Sequence, residues 1–268
     1  MLRLSALYRY PLKSGKAEVL QHIGLDKIGL DGDRRWMLVD EASGRFLTQR
    51  AVAKMSQLAA LWNSAGGLTL SSPGFAPLDV ALPGNDAELR GVTIWRDTLR
   101  VPDAGDAAAA WVSDFIGKPT RLVQMPLERA RTTEAGFGND DDQVAFADGY
   151  PLLLIGQGSL DDLSQHVGRP MEMLRFRPNL VIEGAEAFAE DGWKRLRIGD
   201  VELRVVKPCS RCILTTIDPA TGERSADREP FVTLDAYRKT ENGAMFGQNL
   251  VNDGPGRLEV GMPVTVLE

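Results

Sequence analysis

The chain has 268 residues, of which 43% are hydrophobic and 25% charged, with a formal net charge of -6 at neutral pH. That is enough apolar material for one large domain or two moderate ones, and the acidic balance argues against broad nucleic-acid binding, which draws its affinity from a basic surface. The longest apolar runs, such as Leu152 to Ile155, are far too short to span a bilayer, and no basic-then-apolar leader opens the sequence, so a soluble cytoplasmic protein without a membrane partner is expected.

In chain order, short runs of strand-forming residues alternate with Gly, Pro, Asp and Asn turns: "LRLSALYRYPLKS", "RRWMLVDEASGRFLTQR", "LAALWNSAGGLTLSS", "PLDVALP" and "GVTIWRDTLRVP". A helix is predicted over "DAAAAWVSDFIGKP", with Asp106 as N-cap and Gly117 and Pro119 as the stop. The polar stretch from Arg129 to Asp142 reads as a linker or mobile loop, and a division just before it gives domains 1–122 and 123–268. Beyond it come a helix over "GSLDDLSQHVGRP", capped by Ser159 with Asp162 three positions on, then the strands "NLVIEG" and "LRIGDVELRVVKP", a short helix in "TLDAYRKT", and a last strand pair in "RLEVGMPVTVL". The fold class is mainly β with a few helices (α+β), a barrel or sandwich in preference to a doubly wound parallel sheet.

No phosphate loop and no GxSxG elbow is present. The only histidines, His22 and His166, read as structural or solvated. Polar residues instead gather at strand ends: Lys13 and Ser14; Asp33, Arg34 and Arg35; Asp148 and Gly149; Arg175, Arg177 and Asn179; and the run "KPCSRC". Each alone is ordinary turn chemistry. Together, loops at one rim of a β scaffold can bring Lys13, Arg34, Arg177 and Arg211 around one anion.

Cys209 and Cys212 are the only cysteines. A zinc site or an iron–sulfur cluster built on them lacks ligands, and a thioredoxin-like motif would open a helix, whereas Val201 to Lys207 reads as a strand entering a turn. Cys209 fits a small buried hydrophobe. Cys212, beside Arg211, is open between that reading and a reactive or metal-ligating thiolate.

The run "KPCSRCILTTIDPATGER" resembles the cysteine motif of MOSC-domain proteins. The spaced set "YPLKS", "GDRRWMLVD", "AFADGYP", "RFRPN" and "MFGQN" resembles the mitochondrial amidoxime-reducing component and its bacterial homologues over nearly the whole chain. The resemblance implies an N-terminal MOSC-associated β-barrel-like domain, a β-barrel MOSC domain and a molybdenum cofactor (Mo-molybdopterin). By the same resemblance Cys212 is the metal's protein ligand. Lys13, Ser14, Arg34, Arg177, Asn179, Ser210 and Arg211 hold the pterin and its phosphate, and Asp148, Gly149 and Asn249 line the same pocket. Cys209 packs behind, and Asp148 is a candidate proton relay.

The implied activity is reduction of N-hydroxylated compounds by removal of the N-bound oxygen. Longer bacterial relatives append a ferredoxin-like domain with four cysteines that this sequence lacks, so a separate ferredoxin- or flavodoxin-like protein, or another redox donor, is expected. A sulfur-transfer protein and a non-enzymatic cofactor carrier are the alternatives.

Overall fold

A computed structural model describes residues 1–63 and 66–268; Ser64 and Ala65, within the run "LAALWNSAGGLTLSS", lie outside the described residues. Strands dominate, and among the described residues there are three α-helices: α1 (Asp106–Ile116), α2 (Gln157–Val167) and α3 (Phe231–Tyr237). No helix among them is long and apolar enough to cross a membrane.

The largest sheet runs, in order, through Glu18–Leu20, Arg3–Arg9, Leu180–Glu183, Leu152–Gly156, Gly243–Asn252, Val201–Arg211, Arg195–Ile198 and Val264–Val266, with Lys239–Thr240 attached to Gly243–Asn252. Strand Arg3–Arg9 therefore pairs with Leu180–Glu183, far along the chain. A bulge between Leu4 and Ala6 breaks its alternation, so that Leu4 and Leu7, three apart, are both buried. One pair, Leu152–Gly156 with Leu180–Glu183, is parallel. Parallel neighbours need a crossover, and α2 lies in that connection.

As ladders, the expected barrels are open sheets. The far edge nevertheless comes back towards the start: Arg3 bridges Pro263, and the Val264 amide donates to the Leu2 carbonyl at 3.0 Å.

Four hydrophobic clusters form among the described residues, the fourth packing Phe176 of the cavity wall with Ile155, Val181 and Phe246. Leu4, Leu7, Ile23 and Leu25 pack with Leu154, Leu180, Ile182, Leu203, Leu250 and Leu258 from the second half of the chain. Strand Trp36–Asp40 is buried on both faces, sending Trp36 and Leu38 to a second cluster with Val112 and Phe115. Its Met37 and Val39 join a third cluster with Val92, Val123 and Phe146. Each such leucine or phenylalanine, fully buried, contributes about 1.5–3 kcal/mol of transfer free energy. The strand's partner is Thr120–Gln124, within which the expected division at residue 122 falls.

Two caps differ from expectation. Gly105, not Asp106, precedes α1, and the Asp106 carboxylate accepts from Arg121 Nη1 at 2.8 Å. Ser159 lies inside α2, where its hydroxyl donates to the Glu190 carboxylate at 2.7 Å and accepts from the Phe188 amide. Both helix ends follow the glycine signal, with Gly117 and Gly168 left-handed. The stretch expected as a linker holds one strand of a small ladder, Arg131–Thr132, whose partner Gln143–Val144 follows directly after it.

Candidate functional site

A chain that must reverse tightly at the rim of a sheet uses positive φ, normally with glycine, because a Cβ there crowds the backbone at a cost of about 1–3 kcal/mol. Ser14 (φ 61°), Arg34 (φ 47°) and Arg177 (φ 56°) adopt it all the same. All three line one cavity of about 240 Å³. Lys13, Asp148, Asn179, Ser210, Arg211 and Cys212 share its wall, so nine residues singled out in separate stretches of sequence meet at one place.

The other two do not. Gly149 and Asn249 line an adjoining cleft of about 910 Å³, which shares Asp148, Tyr150, Cys209 and Ser210 with the cavity. Asn249 Nδ2 donates to the carbonyls of Lys207 and Pro208, holding the neighbouring strand where its register slips.

That strand, Val201–Arg211, runs further than expected and carries Cys209 within it. In regular β structure residues three apart face opposite ways. Here the strand ends at Arg211 and Cys212 starts a 3₁₀ turn over Ile213–Thr216, its carbonyl accepting from the amide and hydroxyl of Thr215. The bend brings both thiols to the cavity, free and half-buried. Cys209 therefore does not pack behind Cys212 but stands where cavity and cleft meet, and burial raises its thiol pKa.

Six basic side chains face the cavity, Lys13, Arg34, Arg50, Arg175, Arg177 and Arg211, against one acidic one, Asp148. Arg34 is fixed by Asp33 at 2.5 Å, by Asn179 Oδ1 at 2.9 Å and by the Arg177 carbonyl at 3.1 Å. Asn179, 1% exposed, also accepts from the Leu153 amide and donates to the Tyr8 carbonyl, so its polar atoms are all engaged and it acts through Arg34. Arg34 and Arg177 each stack on the Tyr10 ring, 4.2 Å from its centroid. Burial lowers the Arg177 guanidinium to about 10.

Arg211 reaches the carbonyls of Phe246 and Phe176 with Nε and Nη1. Its Nη2, Arg177 Nη2 and Arg175 Nε are buried without a hydrogen-bond partner. Leaving a buried charged donor unsatisfied costs about 1–3 kcal/mol or more. Several such donors around one cavity fit an anion with several oxygens.

Lys13 Nζ donates to the Phe146 carbonyl at 2.7 Å and to Asp148 at 2.5 Å. Burial lowers its pKa to about 8 against the pull of Asp148. The crowded walls push the Asp148 carboxyl upward, but Lys13, Arg50 and Arg34 outweigh them and hold it at about 2, although its side chain is 63% exposed. The Asp148 carboxyl is therefore ionised at neutral pH.

Arg50, Tyr10 and Trp95 escaped the sequence reading. Arg50 ends the run "RFLTQR", where it was one more charge at a strand end, and it ion-pairs with Asp148 at 3.6 Å.

The fold and this cavity define a mainly β protein with a basic cavity beside a cysteine. Residues 1–119 match the family described as MOSC N-terminal beta barrel domain, and residues 141–265 match the MOSC domain. Mitochondrial amidoxime-reducing component 1 of Homo sapiens is 34% identical over 283 residues, covering 98% of this chain and 82% of the relative. The Danio rerio protein of the same name is 32% identical over 275 residues, covering 97% and 83%. Mitochondrial amidoxime reducing component 2 of Rattus norvegicus is 33% identical over 282 residues, covering 97% and 82%. Among solved structures, the YuaD protein from Bacillus subtilis is 10% identical with a TM-score of 0.43, covering 98% of this chain and 94% of that one. The chain belongs to the family of MOSC-domain proteins that includes the mitochondrial amidoxime-reducing components.

Proposed function

We propose that this chain is a molybdenum-cofactor-dependent reductase of N-hydroxylated compounds that draws electrons from a separate redox protein. The observation that carries the reading is the ring of basic side chains, among them Arg177 and Arg211 with one guanidinium nitrogen each free of any hydrogen bond, around the cavity that also receives Cys212. A pterin phosphate is an anion of the kind those donors fit. Among the described residues no group of three or more His, Cys, Asp or Glu could hold a metal ion. A metal bound through Cys212 must therefore bring its other donors with it, as a dithiolene-bearing pterin does, and a thiolate is the soft protein donor such a metal takes. The family's relatives are named for amidoxime reduction, which supports the same activity here.

In this reading the cofactor supplies the two-electron chemistry that removes oxygen from nitrogen. The chain supplies the rest. Cys212 Sγ is the ligand, Arg175, Arg177 and Arg211 donate to anionic oxygens, and Asn179 and Asp33 keep Arg34 aimed. Ser14 and Ser210 add short polar contacts at the rim. Lys13 Nζ, protonated at neutral pH, holds the available proton, with Asp148 as its counter-ion. Gly149 and Asn249 shape the cleft through which substrate arrives.

Protein from a molybdopterin-competent host should carry about one molybdenum per chain and reduce benzamidoxime with a chemical reductant. Cys212→Ser should lose both metal and turnover, while Cys209→Ser keeps the metal. Persulfide on Cys212 without molybdenum would instead favour sulfur transfer, and bound cofactor without turnover a carrier.

A further inference from the structure

The cleft beside the cavity is walled on one side by a residue out of keeping with its position. Strands Leu89–Ile94 and Asp97–Pro102 form a hairpin in which Ile94 pairs with Asp97, leaving Trp95 and Arg96 as a two-residue loop. In the tight turns that close such loops, the first position calls for positive φ and is normally glycine or asparagine. Here it is a tryptophan at φ 52°, 41% exposed. A bulky side chain in that conformation goes against local preference and has to be held there by its surroundings.

The ring is also well braced. It meets Phe46 edge-on at 5.0 Å between centroids, and Arg50 and Lys13 stand 4.8 and 5.9 Å from its centre. Both cations also line the cavity, so Trp95 stands at the boundary between cavity and cleft. Glu134, another residue of the cleft wall, has both oxygens held by Lys207 Nζ at 2.8 Å, with its side chain 38% exposed. Gly149 lies directly beside it: a Cβ there would be in ordinary van der Waals contact with Glu134 Oε2 at 3.6 Å.

We propose that this cleft is the substrate site and that Trp95 is its specificity-determining residue, stacking the planar body of an aryl N-hydroxyamidine whose N–H groups Glu134 accepts. The proposal rests on the reductase reading. The shared residues Asp148, Tyr150, Cys209 and Ser210 mark the passage at which the N–O end meets the cavity.

The test compares wild type with Trp95→Gly, which removes the ring while relieving the backbone, and with Trp95→Phe, which keeps a ring. At matched molybdenum content and with a chemical reductant, the ratio of kcat/KM for benzamidoxime to that for acetamidoxime should fall about five- to tenfold in Trp95→Gly, mainly through KM. Trp95→Phe should retain most of it. Benzamidine, which cannot turn over, should bind Trp95→Gly more weakly than wild type by a similar factor. An unchanged ratio together with unchanged benzamidine affinity would overturn the proposal. Wild type that binds benzamidine through Trp95 yet reduces neither amidoxime would leave the site standing and overturn the reductase reading.

Discussion

Lys13 and Asp148 lie 2.5 Å apart, and their ionisation sets the working range of the cavity. Asp148 keeps its charge down to about pH 2, and Lys13 keeps its own up to about pH 8. The native value for Lys13 lies below the 10.5 of a free lysine, so between about pH 8 and 10.5 the unfolded chain binds a proton the native state does not. Stability therefore rises with pH across that window as the buried charge is lost, and below about 8 the cost of burying it is felt in full. Anion binding runs the other way. Sulfate affinity of the cofactor-free protein, followed by titration calorimetry, should weaken as pH rises through about 8, and Lys13→Arg should flatten that step; a wild type indifferent to pH there would refute the assignment. Asn179→Ala strips partners from Arg34, the Leu153 amide and the Tyr8 carbonyl. At about 1–3 kcal/mol for each buried group left unsatisfied, a fall in Tm of about 5–16 °C is expected. These cations were legible in the sequence because each sits in a local turn motif. Tyr10 was not, because only the tertiary fold puts its ring against two guanidinium groups.

The two strands Val201–Arg211 and Gly243–Asn252 carry the cysteine motif and its support, and their irregularities matter more than their regular ladder. Gly247 has φ +77°, and a Cβ on it would come within 2.7 Å of both the Leu154 carbonyl oxygen and Ile155 Cγ1. It would also stand 3.4 Å from Arg211 Nη2. Gly247→Ala should cost about 1–3 kcal/mol from the backbone alone, and by moving the Arg211 guanidinium it should weaken sulfate binding as well. Unchanged Tm in thermal unfolding would show that the bulge relaxes freely. The helix stops could be read locally, at Gly117 and Gly168. The helix starts could not: Ser159 is drawn to Glu190, 31 positions away, and Asp106 to Arg121. The ladder Arg131–Thr132 with Gln143–Val144 was invisible because two-residue strands leave no periodicity to detect.

At the scale of the whole molecule, order along the chain misleads about what packs together. Leu4, Leu7 and Leu25 share a core with Leu203 and Leu250, while Phe146 belongs with Met37 and Val92. We propose that the two family-matching regions fold as one unit. Fragments 1–122 and 123–268, made separately, should lack native circular dichroism and recover it only when combined; a cooperative transition in either alone would refute this. The mainly β class, and a barrel or sandwich within it, could be read from turn spacing, and the resemblance narrowed this to barrels, whereas the sheet order depends on pairings across more than 170 positions, such as Leu7 with Leu180, that a single sequence does not display.

The threading of strand Arg3–Arg9 against Leu180–Glu183 also bears on how the protein is made. Lys13, Ser14 and Arg34 leave the ribosome early and wait for Arg177, Cys212 and the strand ending at Asn252 before they enclose anything. A nascent chain short of that strand has no finished receptacle. A ligand that needs both Lys13 and Cys212 therefore finds its place only once both halves of the cavity wall have been made.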